Sequence, residues 1–335
     1  MASIVKDDAP DAEVVEATLV EGAFYSSIDS CEYHLLSLNS QGAVDYGKNG
    51  EFFVQYKPST GTKYVMVAAG THASYLLRDD GVIVRTVGKG VDCEISPPEK
   101  VKYTYISSGT YASYFIRDDG KVDRTKGSGK IELTIESPEK AKYIQVVAGH
   151  IKSFFLREDG IVDFSSGNGK IDGSLACKDD GVTYISMTLQ SMGIVTDKVD
   201  TNPFQIYFIR SDGSADKYST RIFGQEKSLI GNVKCNPTTG LDVKYISGST
   251  SQQSTYLLRS DGAVDRITSG TTVAQTMNPP PQQKYTTVSA GNSASYLLRS
   301  DGKIDRTTGS GVVKSTMEAP EELKAAGKAS TCCIM

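Results

Sequence analysis

The residues of this chain whose types and spacing could do chemistry fall into two sets. The first is its end, Cys332-Cys333-Ile334-Met335, which fits a Cys-aliphatic-aliphatic-X prenylation box with Cys332 as acceptor and Met335 selecting farnesyl. Only Lys324 and Lys328 lie just upstream, so no polybasic second signal accompanies the lipid, and one chain gives reversible attachment. The expectation is a eukaryotic cytoplasmic protein that visits the cytoplasmic face of a membrane through its prenyl group. The competing use of a terminal thiol pair is metal or redox chemistry.

The second set recurs along the chain. An arginine stands three residues before a turn glycine at Arg78, Arg117, Arg157, Arg210, Arg259 and Arg299. An aspartate stands three residues after it at Asp45, Asp123, Asp163, Asp216, Asp265 and Asp305. If Asp-Gly is a two-residue hairpin turn, arginine and aspartate point to opposite faces of their strands. The arginine of one unit then meets the aspartate of the next, and the set forms a ring of inter-unit ion pairs. This makes the charges structural, since repeated charges serve the repeat before they serve a ligand.

Catalysis needs different residues brought together. His34, His72 and His150 occupy different repeats at different positions, and no nucleophile-elbow or zinc-protease motif occurs. Cys31, Cys93, Cys177 and Cys235 are scattered without a Cys-x-x-Cys, which gives no zinc or disulfide framework. The Asp-Gly turns lack the spaced oxygens of a calcium loop, and the Gly-Ser-Gly steps open no helix to cradle phosphate. A net charge of −4 provides no basic footprint for nucleic acid. No enzyme, cofactor or metal is expected.

What must position these residues is a repeat. Lys284 to Gly311 reads KYTTVSAGNSASYLLRSDGKIDRTTGSG, and the phrase returns from Tyr64, Tyr103, Tyr143 and Tyr245. Degenerate copies are anchored at Tyr25 with Gly42 and at Tyr184 with Gly213. Leu, Ile, Val, Tyr and Thr dominate each copy, with hairpin turns at Asp-Gly and Gly-x-Gly and prolines at the copy ends. Four short strands in about 40 residues is the size of a propeller blade. The fold class expected is therefore all-β, a single seven-bladed β-propeller of four-stranded blades.

The run AGTHASYLLRDDGVIVRTVGKG, Ala69 to Gly90, resembles the repeat of the regulator of chromosome condensation family, a seven-bladed β-propeller. DGKIDR, Asp301 to Arg306, gives a weaker resemblance to tectonin-type propellers, some of which are lectins. The first resemblance implies the propeller fold and guanine-nucleotide exchange on a small GTPase; the second implies carbohydrate binding. Two departures stand out: the chain has no Trp, and most copies lack the regular His of the chromosome condensation family.

The domain reading is an acidic tail at 1–17, a propeller at 18–320 and a flexible tail at 321–335 that carries the box. Val14 to Val20 either belongs to the mobile tail or adds a closing strand to the last blade. The fifth copy is the irregular one, with 12 extra residues between the landmarks Tyr184 and Gly213. Its segment Met187 to Phe204 reads as a protruding recognition loop, with Met187, Met192, Ile194, Asp197, Asp200 and Phe204 as candidate partner contacts. The function expected is a non-enzymatic scaffold, a monomeric propeller that binds a protein partner of unknown identity.

Overall fold

The structure is a computed structural model that describes residues 24–320 apart from 32–33, 150–151, 167, 191–204, 220–227, 235–241, 252, 269 and 309. Every regular element among the described residues is a strand, and the strands form seven four-stranded antiparallel sheets, each drawn from one contiguous copy of the repeat. The blades span 25–56, 64–95, 103–135, 143–175, 184–233, 245–277 and 285–317. The inner strands lie side by side in chain order, with that of blade 7 beside that of blade 1. This is a seven-bladed β-propeller.

Blade 3 shows how the sequence builds the unit. Its strands run Tyr103–Ser108, Ser113–Arg117, Val122–Thr125 and Ile131–Ile135. In the second strand Ser113 to Ile116 are all buried, because neighbouring blades cover both faces of the sheet. The cores therefore lie between blades. Phe155 of blade 4 meets the ring of Tyr114 of blade 3 edge-on at 5.3 Å, and Phe115 meets Tyr75 of blade 2 at 5.1 Å. Burying one such side chain contributes roughly 1.5–3 kcal/mol, so every blade interface is an apolar core.

A second join is polar and recurs around the whole ring. The carbonyl of each turn glycine accepts a bond from the N–H of the first tyrosine of the next blade, as in Gly262 to Tyr285 at 2.9 Å. The last join, from the Tyr25 N–H to the Gly302 carbonyl at 3.0 Å, closes the ring. Among the described residues the sheet of blade 7 is formed by four strands from 285–317. Val14 to Val20, read as tail or closing strand, lies outside the described residues.

Candidate functional site

The repeated charges pair within each blade, which corrects the expected ring between blades. The cause is the turn. The Arg117 N–H donates to the Lys121 carbonyl and the Gly120 N–H to the Arg117 carbonyl, both at 2.9 Å, with Gly120 at φ 85°. This is a three-residue loop whose glycine forms a bulge, so Ile116 pairs with Val122 and Phe115 with Asp123. Relative to a two-residue turn, the register moves by one and puts Arg117 and Asp123 on the same face.

The same network is repeated for Arg117, Arg157, Arg259 and Arg299. Each guanidinium binds the turn carboxylate two residues on, respectively Asp119, Asp159, Asp261 and Asp301, and approaches the buried Asp123, Asp163, Asp265 or Asp305 at 3.5–3.9 Å. Arg210 reaches Asp179, Asp212 and, at 3.2 Å, Asp216. Arg78 binds Asp80 and, at 2.9 Å, Glu94. The arginines hold the carboxyls of Asp80, Asp119 and Asp261 below the usual range, and the Ser214 N–H and hydroxyl, with Arg210 after them, do so for Asp212.

Each buried aspartate also accepts from the first tyrosine of its own blade, at 2.8 Å from Tyr103 to Asp123 and 2.7 Å from Tyr143 to Asp163. Burial and the adjacent carboxylate push these phenols well above the ordinary tyrosine range. Blade 1 has Asn39 where the arginine would stand, and there Gln55 donates to Asp45 at 2.8 Å. The network is a lock on the blade, with its groups already engaged with each other.

Of the residues expected to contact a partner, Met187 is buried within the strand Tyr184–Gln190. It packs among Phe154, Leu156 and Phe208, and Gln145 of blade 4 bonds both its N–H and its carbonyl, at 2.9 and 3.2 Å. It is a core residue because it falls at the inward register of an inner strand, which corrects its placement in a loop. Met192, Ile194, Asp197, Asp200 and Phe204 lie outside the described residues, as does Cys332.

Two surfaces remain. The first is the central channel, a cavity of about 400 Å³ lined by the inner strands. Ser27, Ser30, Ser107, Ser249 and Thr287 make its wall polar. Neighbouring blades are tied there by one recurring position: Ser107 accepts from the Ala148 N–H at 3.1 Å, and Ser249 from that of Ala290 at 2.9 Å. In blade 1 the position is Asp29, which accepts from the N–H groups of Ala69 and Ser30 and from the Ser289 hydroxyl. Burial outweighs these bonds and pushes its carboxyl up to about 6.

The second surface is the rim that carries the Asp-Gly turns. Every inner strand has a bulge directly after its first tyrosine, where the register skips one residue. At Ser26, Thr104 and Thr286 the bulged side chain is a hydroxyl that bonds a carbonyl of the second strand. In blades 4, 5 and 6 it is Ile144, Ile185 and Ile246, exposed by 49, 46 and 47%, and in blade 2 it is the exposed Val65. Lys142, Lys244 and Lys284 each stand one residue before a first tyrosine on the same rim. Sequence alone missed this arc because an aliphatic residue in a strand reads as core; the bulge is what turns it out.

With this geometry in place, comparison with solved structures gives the fold. Human WBSCR16 matches at 13% identity over 78% of this chain and 81% of its own, with a TM-score of 0.55. Yeast RCC1 (Prp20), solved bound to Kap60, matches at 12% over 81% and 79%, with a TM-score of 0.55. YCF48 from Cyanidioschyzon merolae matches at 12% over 84% and 94%, with a TM-score of 0.56. No family model matches the chain, and no curated protein does. Structural neighbours thus include propellers of the RCC1 kind, at identities that speak for fold alone.

Proposed function

We propose that this protein is a non-enzymatic interaction propeller that seats a protein partner on the rim of its Asp-Gly turns. The observation that carries this reading is the run of Ile144, Ile185 and Ile246 at one register of three consecutive blades, half-exposed where blades 1, 3 and 7 place Ser or Thr. Covering the exposed half of each side chain would contribute roughly 1 kcal/mol per isoleucine. The flanking lysines favour a partner segment that is acidic as well as apolar. That yeast RCC1 was solved bound to Kap60 supports protein binding by this architecture.

The test is proximity cross-linking in cells with the native chain and with Ile144→Thr/Ile185→Thr/Ile246→Thr. Threonine already occupies this position in blades 3 and 7, so the variant is expected to fold. Partners enriched by the native chain and lost by the variant support the reading. Identical partner sets overturn it, and loss only on replacing Met192, Ile194 and Phe204 moves the contact to the fifth-copy insertion.

For a chain that ends at Met335, we propose in addition that Cys332 carries a farnesyl group and that the propeller is held reversibly at the cytoplasmic face of a membrane. The match of the last four residues to the box supports this. Intact mass of protein from native cells tests it: a farnesylated chain ending at Cys332 is expected, and an unmodified Met335 terminus overturns it.

Regulation of a small GTPase is the second reading. It is favoured by the likeness to Prp20 from Saccharomyces cerevisiae, whose structure was reported together with its binding properties to Gsp1p and histones. Accelerated nucleotide release from a captured GTPase would support it, and unchanged release would exclude it.

A further inference from the structure

Four residues after the first tyrosine, blades 3, 6 and 7 carry Ser107, Ser249 and Ser289, and blade 1 carries Asp29. In blades 3 and 6 the serine hydroxyl accepts the N–H of the next blade's inner strand, at Ala148 and Ala290. Asp29 makes the same join to Ala69 at 2.8 Å. A neutral hydroxyl therefore suffices for this contact, and the join does not call for a charge. Burial works against the ionised form of Asp29, so the carboxylate weakens the fold at neutral pH. A residue that costs stability where a neutral one does the same structural job marks a site held for another purpose.

The carboxylate stands in a cavity that suits a cation. Oδ1 accepts from the Ser30 N–H at 2.9 Å and the Ser289 hydroxyl at 3.1 Å. Oδ2 accepts from the Ala69 N–H, which uses one of its two lone pairs. Ser27, two residues back on the same strand face, also lines the channel, as does Thr287 of blade 7. Tyr105 of blade 3 lines it too; burial, with the charge of Asp29, pushes its phenol up to about 12, so it remains a neutral hydroxyl on an aromatic ring. Of the described residues that line the channel, Asp29 is the one Asp or Glu, and none is Lys, Arg or His. Nor does any group of three His, Cys, Asp or Glu side chains that could hold a metal ion occur among the described residues. One carboxylate among hydroxyls and a phenol suits an organic ammonium, whose N–H groups take single acceptors and whose charge favours an aromatic face.

We propose that the central channel binds a small hydroxylated primary amine, of the amino-sugar class, with its ammonium on Asp29. The ammonium donates to Oδ2 of Asp29 and packs toward the ring of Tyr105. The hydroxyls of the ligand exchange bonds with those of Ser27, Ser107, Ser249 and Thr287 on the wall. A volume of about 400 Å³ lies at the lower end of the range for small-molecule sites, which fits one sugar ring rather than a longer chain. Pairing with the ammonium offsets the stability that the buried charge removes, since a ligand of the folded state alone stabilises it. The site is separate from the rim of the Asp-Gly turns and stands whether or not that rim seats a protein.

The test is calorimetric titration of the full chain with glucosamine, and with uncharged glucose as control, at about pH 7.5 where Asp29 is ionised. Saturable binding of glucosamine is expected, with glucose at least about tenfold weaker. Asp29→Asn keeps the size of the side chain and should lower the affinity for glucosamine at least about tenfold. Asp29→Ser restores the residue of blades 3, 6 and 7, should fold with an unreduced denaturation midpoint, and should show the same loss. Glucosamine should raise the midpoint of the native chain and leave that of Asp29→Ser unmoved. Absence of saturable glucosamine binding, equal affinity for glucose, or equal affinity in the native chain and Asp29→Asn would overturn the proposal.

Discussion

The hydroxyl of Tyr143 donates to Oδ2 of Asp163 at 2.7 Å, and Asp163 is the shared acceptor at the centre of the polar lock of blade 4. Asp163 is fully buried, accepts from Ser174 at 2.5 Å, and has the guanidinium of Arg157 3.9 Å away. Deleting that carboxylate leaves a buried phenol, a hydroxyl and part of a cation without their acceptor. Asp163→Ala should therefore cost about 3–5 kcal/mol, as for breaking one side of a buried pair. Tyr143→Phe removes one donor and should cost about 1 kcal/mol. Urea denaturation of the two variants checks both the order and the size.

Blade 2 offers a natural rearrangement of this lock. Val84 stands where other blades have the aspartate, and its partner across the strands, Glu94, supplies the carboxylate to Arg78 at 2.9 Å. Glu94→Thr alone removes a half-exposed partner and should cost less than about 1 kcal/mol. Val84→Asp alone sets two carboxylates opposite each other and should destabilise. Together the changes rebuild the arrangement of blades 3, 4, 6 and 7, with Tyr64 gaining an acceptor. The double variant should be more stable than the sum of the singles by about 1–3 kcal/mol in a double-mutant cycle.

The fold was legible because tyrosine, turn glycine and aliphatic strands recur at a fixed period, and such periodicity constrains architecture more than any single residue does. The pairing of the charges was not legible, because it depends on whether Asp-Gly makes a two- or a three-residue loop. The Asp119 side chain accepting from the Lys121 N–H at 3.1 Å belongs to the longer loop, and the sequence names the turn without fixing its length. Asp29 stands in plain view in the sequence, yet nothing beside it marks it. Only counting from Tyr25 in register shows that it replaces the serine of blades 3, 6 and 7. The buried Met187 was misplaced for the opposite reason, since the long insertion drew attention to all the residues near it.

Asp29 should give the propeller a distinctive pH response. Its carboxyl is raised from 3.8 to about 6 by burial, so the folded state holds this proton more tightly than the unfolded chain. Its contribution to stability is fully present below pH 3.8 and is lost as pH rises to about 6. The groups against it are the hydroxyl of Ser289, the N–H groups of Ala69 and Ser30, and across the channel Tyr105, which stays neutral over this range. Asp29→Ser supplies the hydroxyl that blades 3, 6 and 7 use at this position. The variant should gain on the native chain by about 2 kcal/mol between pH 4 and pH 7, after discounting for channel water. Paired urea titrations at the two pH values check this, and a constant difference would refute it.

Two glycines separate the cost of backbone conformation from the cost of packing between blades. Gly262 has φ +89°, and a Cβ there would lie 2.5 Å from the Cβ of Lys284, the residue before the first tyrosine of the next blade. Gly127 has φ +67°, with nothing within 4 Å of the added atom. Both substitutions to alanine force an L-residue into the left-handed region, at roughly 1 kcal/mol each. Gly127→Ala should stop there. Gly262→Ala must also push Lys284 away and stretch the bond from the Gly262 carbonyl to the Tyr285 N–H, which adds about 1–3 kcal/mol. Because that bond recurs at all seven joins, the larger effect should reappear in Gly120→Ala and Gly213→Ala, whose added atoms would meet Lys142 and Lys244. Thermal denaturation of the four variants checks the contrast. If Gly127→Ala proves as damaging as the other three, the loss comes from backbone conformation alone and the join contributes nothing measurable.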